Sequence, residues 1–245
     1  MKLGFLTGLF ALQFTACAVQ SGGGSGTQSL ERDYWGHRPG PKGFYTVIID
    51  AGHGGKDPGA VSRHTGTREK DLALDTAKRV QRKLAGSCRT VLIRSDDQFV
   101  DLDERVKMAS RRNGAILVSI HYNSGASYMR GPETYYWRVD SHGLATRIQR
   151  ALEASVPSES GNRGKVRRRL RLTRNPNVPC VLVECGYLSN AAEARLCDQS
   201  SYRDRLASAI AQAILDQKQN GDAGTGPRPK PLNAPPSRPT DPPGS

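Results

Sequence analysis

Four short apolar runs rich in β-branched residues recur along the chain: "YTVIID" at 45–50, "TVLIR" at 90–94, "AILVSI" at 115–120 and "CVLVE" at 180–184. Near-continuous runs of this length suit strands buried on both faces. "ETYYW" at 133–137 is more amphipathic and reads as an edge strand. Between the runs, apolar residues fall at helical spacing in Ala73-Ala77-Val80-Leu84, Leu102-Val106-Ala109, Leu144-Ile148-Ala151-Leu152 and Leu206-Ile210-Ala213-Ile214. The order β-α-β-α-β-β-α-β-α predicts an α/β fold, an open, mostly parallel or mixed sheet flanked by helices.

The two ends do not share this pattern. Lys2 and the apolar stretch 3–14 form an export signal too short to span a bilayer. It closes in Phe14-Thr15-Ala16-Cys17, which resembles a bacterial lipobox and marks Cys17 for acylation. Residues 18–42 are rich in Gly, Ser and Pro and read as a flexible tether. The folded domain is expected at 43–219. Residues 220–245 read as a disordered tail, since 221–245 hold eight prolines and no aromatic residue. Export, with an anchored lipid facing the periplasm, fits Ala18 after Cys17, a pattern of outer-membrane lipoproteins.

Export also permits disulfides. Of the three pairings open to Cys88, Cys180, Cys185 and Cys197, position relative to the strands favours Cys88–Cys180 with Cys185–Cys197. The net charge of +13 calls for an anionic partner. Much of it lies in "NRGKVRRRLRLTR" at 162–174. Aromatics for base stacking are missing from that run and export argues against nucleic acid. Lipid headgroups, an acidic peptide, whose carboxylates suit Arg forks, and a plain solvated face remain as readings.

In open α/β sheets, function gathers at the carboxyl ends of strands. Asp50 ends the first strand, with His53 just beyond in "AGHGG". His121 stands at the end of "LVSI", Glu184 at the end of "VLV", and Glu69 opens the helix after the first strand. Two imidazoles and a carboxylate suit Zn²⁺ with a fourth position left for water, and a further carboxylate could move a proton. His37, His64 and His142 read as solvent or cap residues.

"VIIDAGHGGKDPGA", "REKDLAL", "LVSIHYNS", "GPETYYW", "GNRGK" and "VPCVLVECGYLSN", in this order, resemble the zinc-dependent N-acetylmuramoyl-L-alanine amidases over about residues 44–218. The resemblance implies a phosphorylase/hydrolase-like fold and one zinc ion per chain, held by His53, Glu69 and His121, with Glu184 as the catalytic glutamate. It implies peptidoglycan with its acidic stem peptides as substrate, cut between N-acetylmuramic acid and L-alanine during wall remodelling or cell separation. Asn123 and Arg163, in two of these motifs, are candidate substrate contacts. Ala51 and Tyr187 replace the usual Pro and Phe. Some members carry a helical plug between the second His and the Glu; here 62 residues separate His121 from Glu184, so no activator is implied. The alternatives are a peptidoglycan-binding lipoprotein with a retired amidase fold, or a zinc peptidase cutting within the stem peptide.

Overall fold

The computed structural model describes residues 40–230. The export signal, Cys17, most of the tether with His37, and the last fifteen residues lie outside them. Six strands form one sheet: β1 (Thr46–Ala51), β2 (Arg89–Leu92), β3 (Ala115–Asn123), β4 (Glu133–Tyr136), β5 (Gly164–Arg167) and β6 (Cys180–Tyr187). Their order is β2-β1-β3-β6-β4-β5. β2, β1, β3 and β6 are parallel; β4 runs antiparallel to β6, and β5 parallel to β4. The expected mixed α/β sheet is present.

The helices are α1 (Glu69–Lys83), α2 (Leu102–Ser110), α3 (His142–Glu153), α4 (Arg171–Arg174), α5 (Ala191–Asp198) and α6 (Ser200–Asn220). Glu69 and Asp71 begin α1, and Arg82 and Lys83 end it, so charge follows the helix dipole. Asp101 caps α2 and Asn190 caps α5 through their side chains.

Side chains alternate across a sheet, and the two faces differ in cover. On one, Val47, Ile49, Ile116, Val118, Val181 and Val183 pack under α1, α3 and α6 in the main core. On the other, Ile48, Leu117 and Cys180 meet only Ile93, Ala109, Leu172 and their neighbours around α2 and α4. That thinner layer covers the amino-terminal half of the strands. Asp50, Ser119, His121, Glu184, Glu133 and Tyr135 lie on the same face, beyond that layer's apolar contacts, and all six are buried.

Four expectations need correction. β4 is an interior strand, flanked by β6 and β5, and all four of its residues are buried. The edges are β2, which is only partly buried, and β5, whose lone apolar residue Val166 gave no strand pattern. The four cysteines are free thiols. Cys88 packs against the main core and Cys180 lies in the opposite layer, so the sheet separates them; Cys185 and Cys197 share the main core but are not bonded. The chain just beyond α6 is tied down rather than loose. Arg147 donates to the carbonyls of Gly221 and Ala223, and Arg150 to that of Gly224.

No helix among the described residues is long and apolar enough to cross a membrane.

Candidate metal centre

β1 ends at Ala51, and the chain turns sharply to put His53 at φ 59°, the one non-glycine residue with positive φ among those described. Two buried guanidiniums enforce that turn. Arg94 donates to the carbonyls of Ala51, Gly52 and Lys70. Arg105 donates to those of Ala51 and His53 and to Asp50 Oδ1, whose other oxygen accepts from Ser119. Burial opposes ionisation of Asp50, but Arg105 and Ser119 prevail and its pKa falls below the ordinary value. Neither arginine was singled out in the sequence, since nothing local distinguishes them.

His53, Glu69 and His121, from three separate elements, converge here. Glu69 Oε1 lies 3.0 Å from His53 Nε2 and 2.9 Å from His121 Nδ1. One ligand atom from each of the three falls within 4.8 Å of the others. The imidazoles meet edge-on, their centroids 5.0 Å apart, and all three residues are buried.

Glu69 Oε1 also accepts from the Tyr122 amide and Oε2 from that of Ala60. Burial would raise its pKa, but the hydrogen bonds and charge of the two histidines pull it down to about 2. His53 behaves inversely: burial would lower its pKa, yet Glu69 and Asp57 raise it. Asp57 Oδ2 sits 2.8 Å from His53 Nδ1, placed to accept a proton held there, while Nε2 faces Glu69. Asp57 was read only as part of a turn.

Glycine is required where the backbone passes the rings. A Cβ on Gly52 would lie 2.3 Å from His121 Cε1, and one on Gly59 2.6 Å from His53 Cδ2.

Glu184 is in register with His121 across β3 and β6. Its Oε2 is buried without a hydrogen-bond partner among the described residues. Burial first, then the negative charges of Glu69 and Glu133, push its carboxyl well above the usual range. A buried carboxyl with an idle oxygen beside a metal-competent triad is equipped to take and return protons.

On the other side of β6, Glu133 stands opposite Glu184. Its Oε2 accepts from Tyr187 at 2.7 Å and Tyr135 at 2.9 Å, and lies 3.5 Å from Arg163 Nε. Asn123 Nδ2 donates to both tyrosine hydroxyls, so both candidate substrate contacts join this network. Burial, then Glu133, pushes the Tyr135 hydroxyl up to about 12. Glu133 was visible only as a letter in "GPETYYW", because two of its partners, Tyr187 and Arg163, come from other segments.

The remaining histidines stay out. His64 is at the surface, its Nε2 3.3 Å from the Ser189 carbonyl. His142 is buried rather than solvated, edge-on to Tyr136, and its pKa is lowered by burial.

Residues 47–216 match the model of the N-acetylmuramoyl-L-alanine amidase family. This chain belongs to that family. The match spans every element from β1 into α6. N-acetylmuramoyl-L-alanine amidase LytC of Bacillus subtilis is 38% identical over 171 residues, covering 67% of this chain and 34% of LytC. Among solved structures, an N-acetylmuramoyl-L-alanine amidase from Clostridium difficile 630 superposes with a TM-score of 0.68 at 33% identity, covering 72% of this chain and 97% of that one. The catalytic domain of CwlV from Bacillus (Paenibacillus) polymyxa, another amidase, gives 0.67 at 37% identity, over 70% and 97%.

Proposed function

We propose that this chain is a zinc-dependent N-acetylmuramoyl-L-alanine amidase, cutting the amide between the lactyl group of N-acetylmuramic acid and L-alanine of the stem peptide. One observation carries the reading: a buried two-histidine, one-carboxylate cluster with an unpaired carboxyl, Glu184, in register beside it. The donor set fits Zn²⁺, which prefers imidazole and carboxylate in a tetrahedral site with one position open. Zinc held by His53, Glu69 and His121 supplies Lewis acidity, which activates water and polarises the amide carbonyl.

The chain's own groups do the rest. Glu184 takes a proton from the attacking water and returns it to the departing alanine nitrogen. The Arg94 and Arg105 guanidiniums hold the His53 turn rigid, and Asp57 keeps the His53 proton on Nδ1. Cleavage leaves the lactyl carboxylate on the glycan and a free amine on the peptide.

Peptidoglycan lies outside the cytoplasm, so an exported enzyme fits the reading; the sequence at 1–17 supports a lipid anchor at Cys17 and an outer-membrane location. Activity without an activator is part of the same proposal: the segment between β3 and β6 places α3 in the main core and α4 in the opposite layer.

The test is incubation of residues 18–245 with peptidoglycan, with and without chelator and zinc add-back, and products identified by mass. Whole stem peptides with a free L-alanine amine, lost with chelator and restored by zinc, are expected. Zinc-dependent cuts within the peptide would mean a peptidase. No cleavage with zinc bound stoichiometrically would mean a binding role or a missing activator.

A further inference from the structure

Between Glu159 and Glu184 the chain carries six arginines and one lysine and not one carboxylate. The fold divides this run. Arg167 and Arg169 lie over the Trp137 indole, at 5.4 and 5.8 Å from its centroid. Arg167 also donates to the carbonyls of Trp137 and Lys230. Arg171 pairs with Asp103 of α2. These contacts belong to the packing of β5 and α4.

Arg163 and Arg168 belong to the site. Arg163 lies over the Tyr187 ring and Arg168 over the Tyr135 ring, each 5.2 Å from its centroid. Both phenols donate to the same buried oxygen, Glu133 Oε2, and Glu133 stands opposite Glu184. The two guanidiniums therefore sit over the two tyrosines that hold one carboxylate next to the proposed base, and Arg168 also donates to the Tyr135 hydroxyl. Both arginines are exposed to solvent, while the groups beneath them are buried. The positive charge of Arg168 reaches Glu184, where it acts against the burial that raises that carboxyl.

A guanidinium carries five N–H donors, so one held over a ring still has donors to offer, and a carboxylate matches its planar edge with two bonds. Arg163 lies 3.5 Å from Glu133 Oε2, whereas Arg168 contacts the Tyr135 phenol and is exposed, so its charge is open to an incoming anion. We propose that Arg163 and Arg168 form a two-armed clamp for the free carboxylates of an acidic peptide, so that the enzyme selects stem peptides whose carboxyl groups are not amidated. Tyr187, Tyr135 and Glu133 hold the two arms at a set spacing. This rests on the amidase reading, with the peptide on the β4–β6 side of the zinc site.

The experiment uses two muramyl-peptides, identical except that the peptide carboxylates of one are carboxamides. The zinc-loaded chain should cut the free acid with a lower KM. R163Q and R168Q should each raise KM for the free acid roughly tenfold, the factor for one lost charged contact, and raise KM for the amide far less, with zinc content unchanged. R163K and R168K, which keep charge but lose the fork, should fall between. R167Q, on the Trp137 side, should change neither substrate. Equal losses on both substrates, or the same selective loss in R167Q, would overturn the clamp. If the zinc-loaded chain cuts neither, the amidase reading fails separately. Calorimetry with the two peptides then still decides the clamp: free-acid preference lost in R168Q upholds it, and no preference sinks it.

Discussion

Glu184 of β6 lies directly in register with His121 of β3, so a buried carboxyl and a metal-competent imidazole share one sheet face at adjoining strand ends. Parallel strands make this possible, because both carboxyl ends open on the same edge of the sheet. The pairing also separates two roles for carboxylates. Glu69 is bound to both histidines and two amides, whereas Glu184 keeps an unbonded oxygen.

Replacing Glu184 with Gln should lower kcat by about 10²–10⁴-fold, the usual contribution of a general acid–base group. Zinc content should stay at one ion per chain, since Glu184 is not among the clustered donors. Steady-state kinetics with metal analysis checks both, and loss of the metal would reassign Glu184 as a ligand.

The same substitution should alter how metal-free stability depends on pH. Glu184 has a folded-state pKa above its unfolded one, so the folded form retains a proton that the unfolded form releases. That stabilisation is whole below about pH 4.5, the unfolded value, and declines as pH rises toward the folded value. Gln mimics the protonated form at every pH. Melting curves in chelator should therefore show E184Q gaining on the wild type from about pH 4.5 upward; a constant offset would contradict this.

Asp57 should act on zinc affinity through His53. D57N removes the carboxylate from Nδ1 and should weaken zinc binding by about 10–100-fold, as for other groups that orient metal-bound histidines. Chelator competition measures it. The metal-free melting temperature should shift little, because Asp57 is partly exposed.

Gly52→Ala tests the close approach of backbone to His121. Its Cβ would fall 2.3 Å from the imidazole, so the ring must move. Zinc affinity should drop by at least about tenfold, the lower end of the range for disturbed ligand orientation. Unchanged affinity would mean the ring has room the geometry does not show.

Arg105→Ala should be the most destabilising of these changes. It leaves the fully buried Asp50 carboxylate with Ser119 but without its counter-charge, and removes the guanidinium from the His53 carbonyl, while Arg94 still holds that of Ala51. Breaking a buried ion pair from one side typically costs about 3–5 kcal/mol. Urea unfolding of the metal-free chain reads it directly, and a loss under about 1 kcal/mol would mean water replaces the guanidinium.

Much of the site was legible because each of its four main residues sits at an element boundary visible in the chain. His53 and Glu184 follow or end apolar runs, His121 closes "LVSI", and Glu69 opens a helical period. Asp57, Arg94, Arg105 and Glu133 were not legible. Their importance lies in what they touch, and their partners are distant in sequence: Arg94 bonds carbonyls 42 and 43 residues away, and Glu133 a tyrosine 54 residues on. The Arg-rich run gave its charge but not its division between Trp137 and the two tyrosines. The disulfide expectation failed for a related reason: order along strands does not show that Cys88 and Cys180 occupy opposite layers.

The sequence by itself determined the alternation of strands and helices, the residues capable of metal and proton chemistry, and the strand ends that carry them. These follow from local periodicity and side-chain chemistry, which act over a few residues. Only the tertiary structure decided that β4 is interior, that β5 is the far edge, that Glu133 faces Glu184, and that two arginines turn to the site. Those are matters of strand pairing and register. A strand's own residues state which faces are apolar; which neighbour satisfies its backbone edge is settled by the whole chain folding at once.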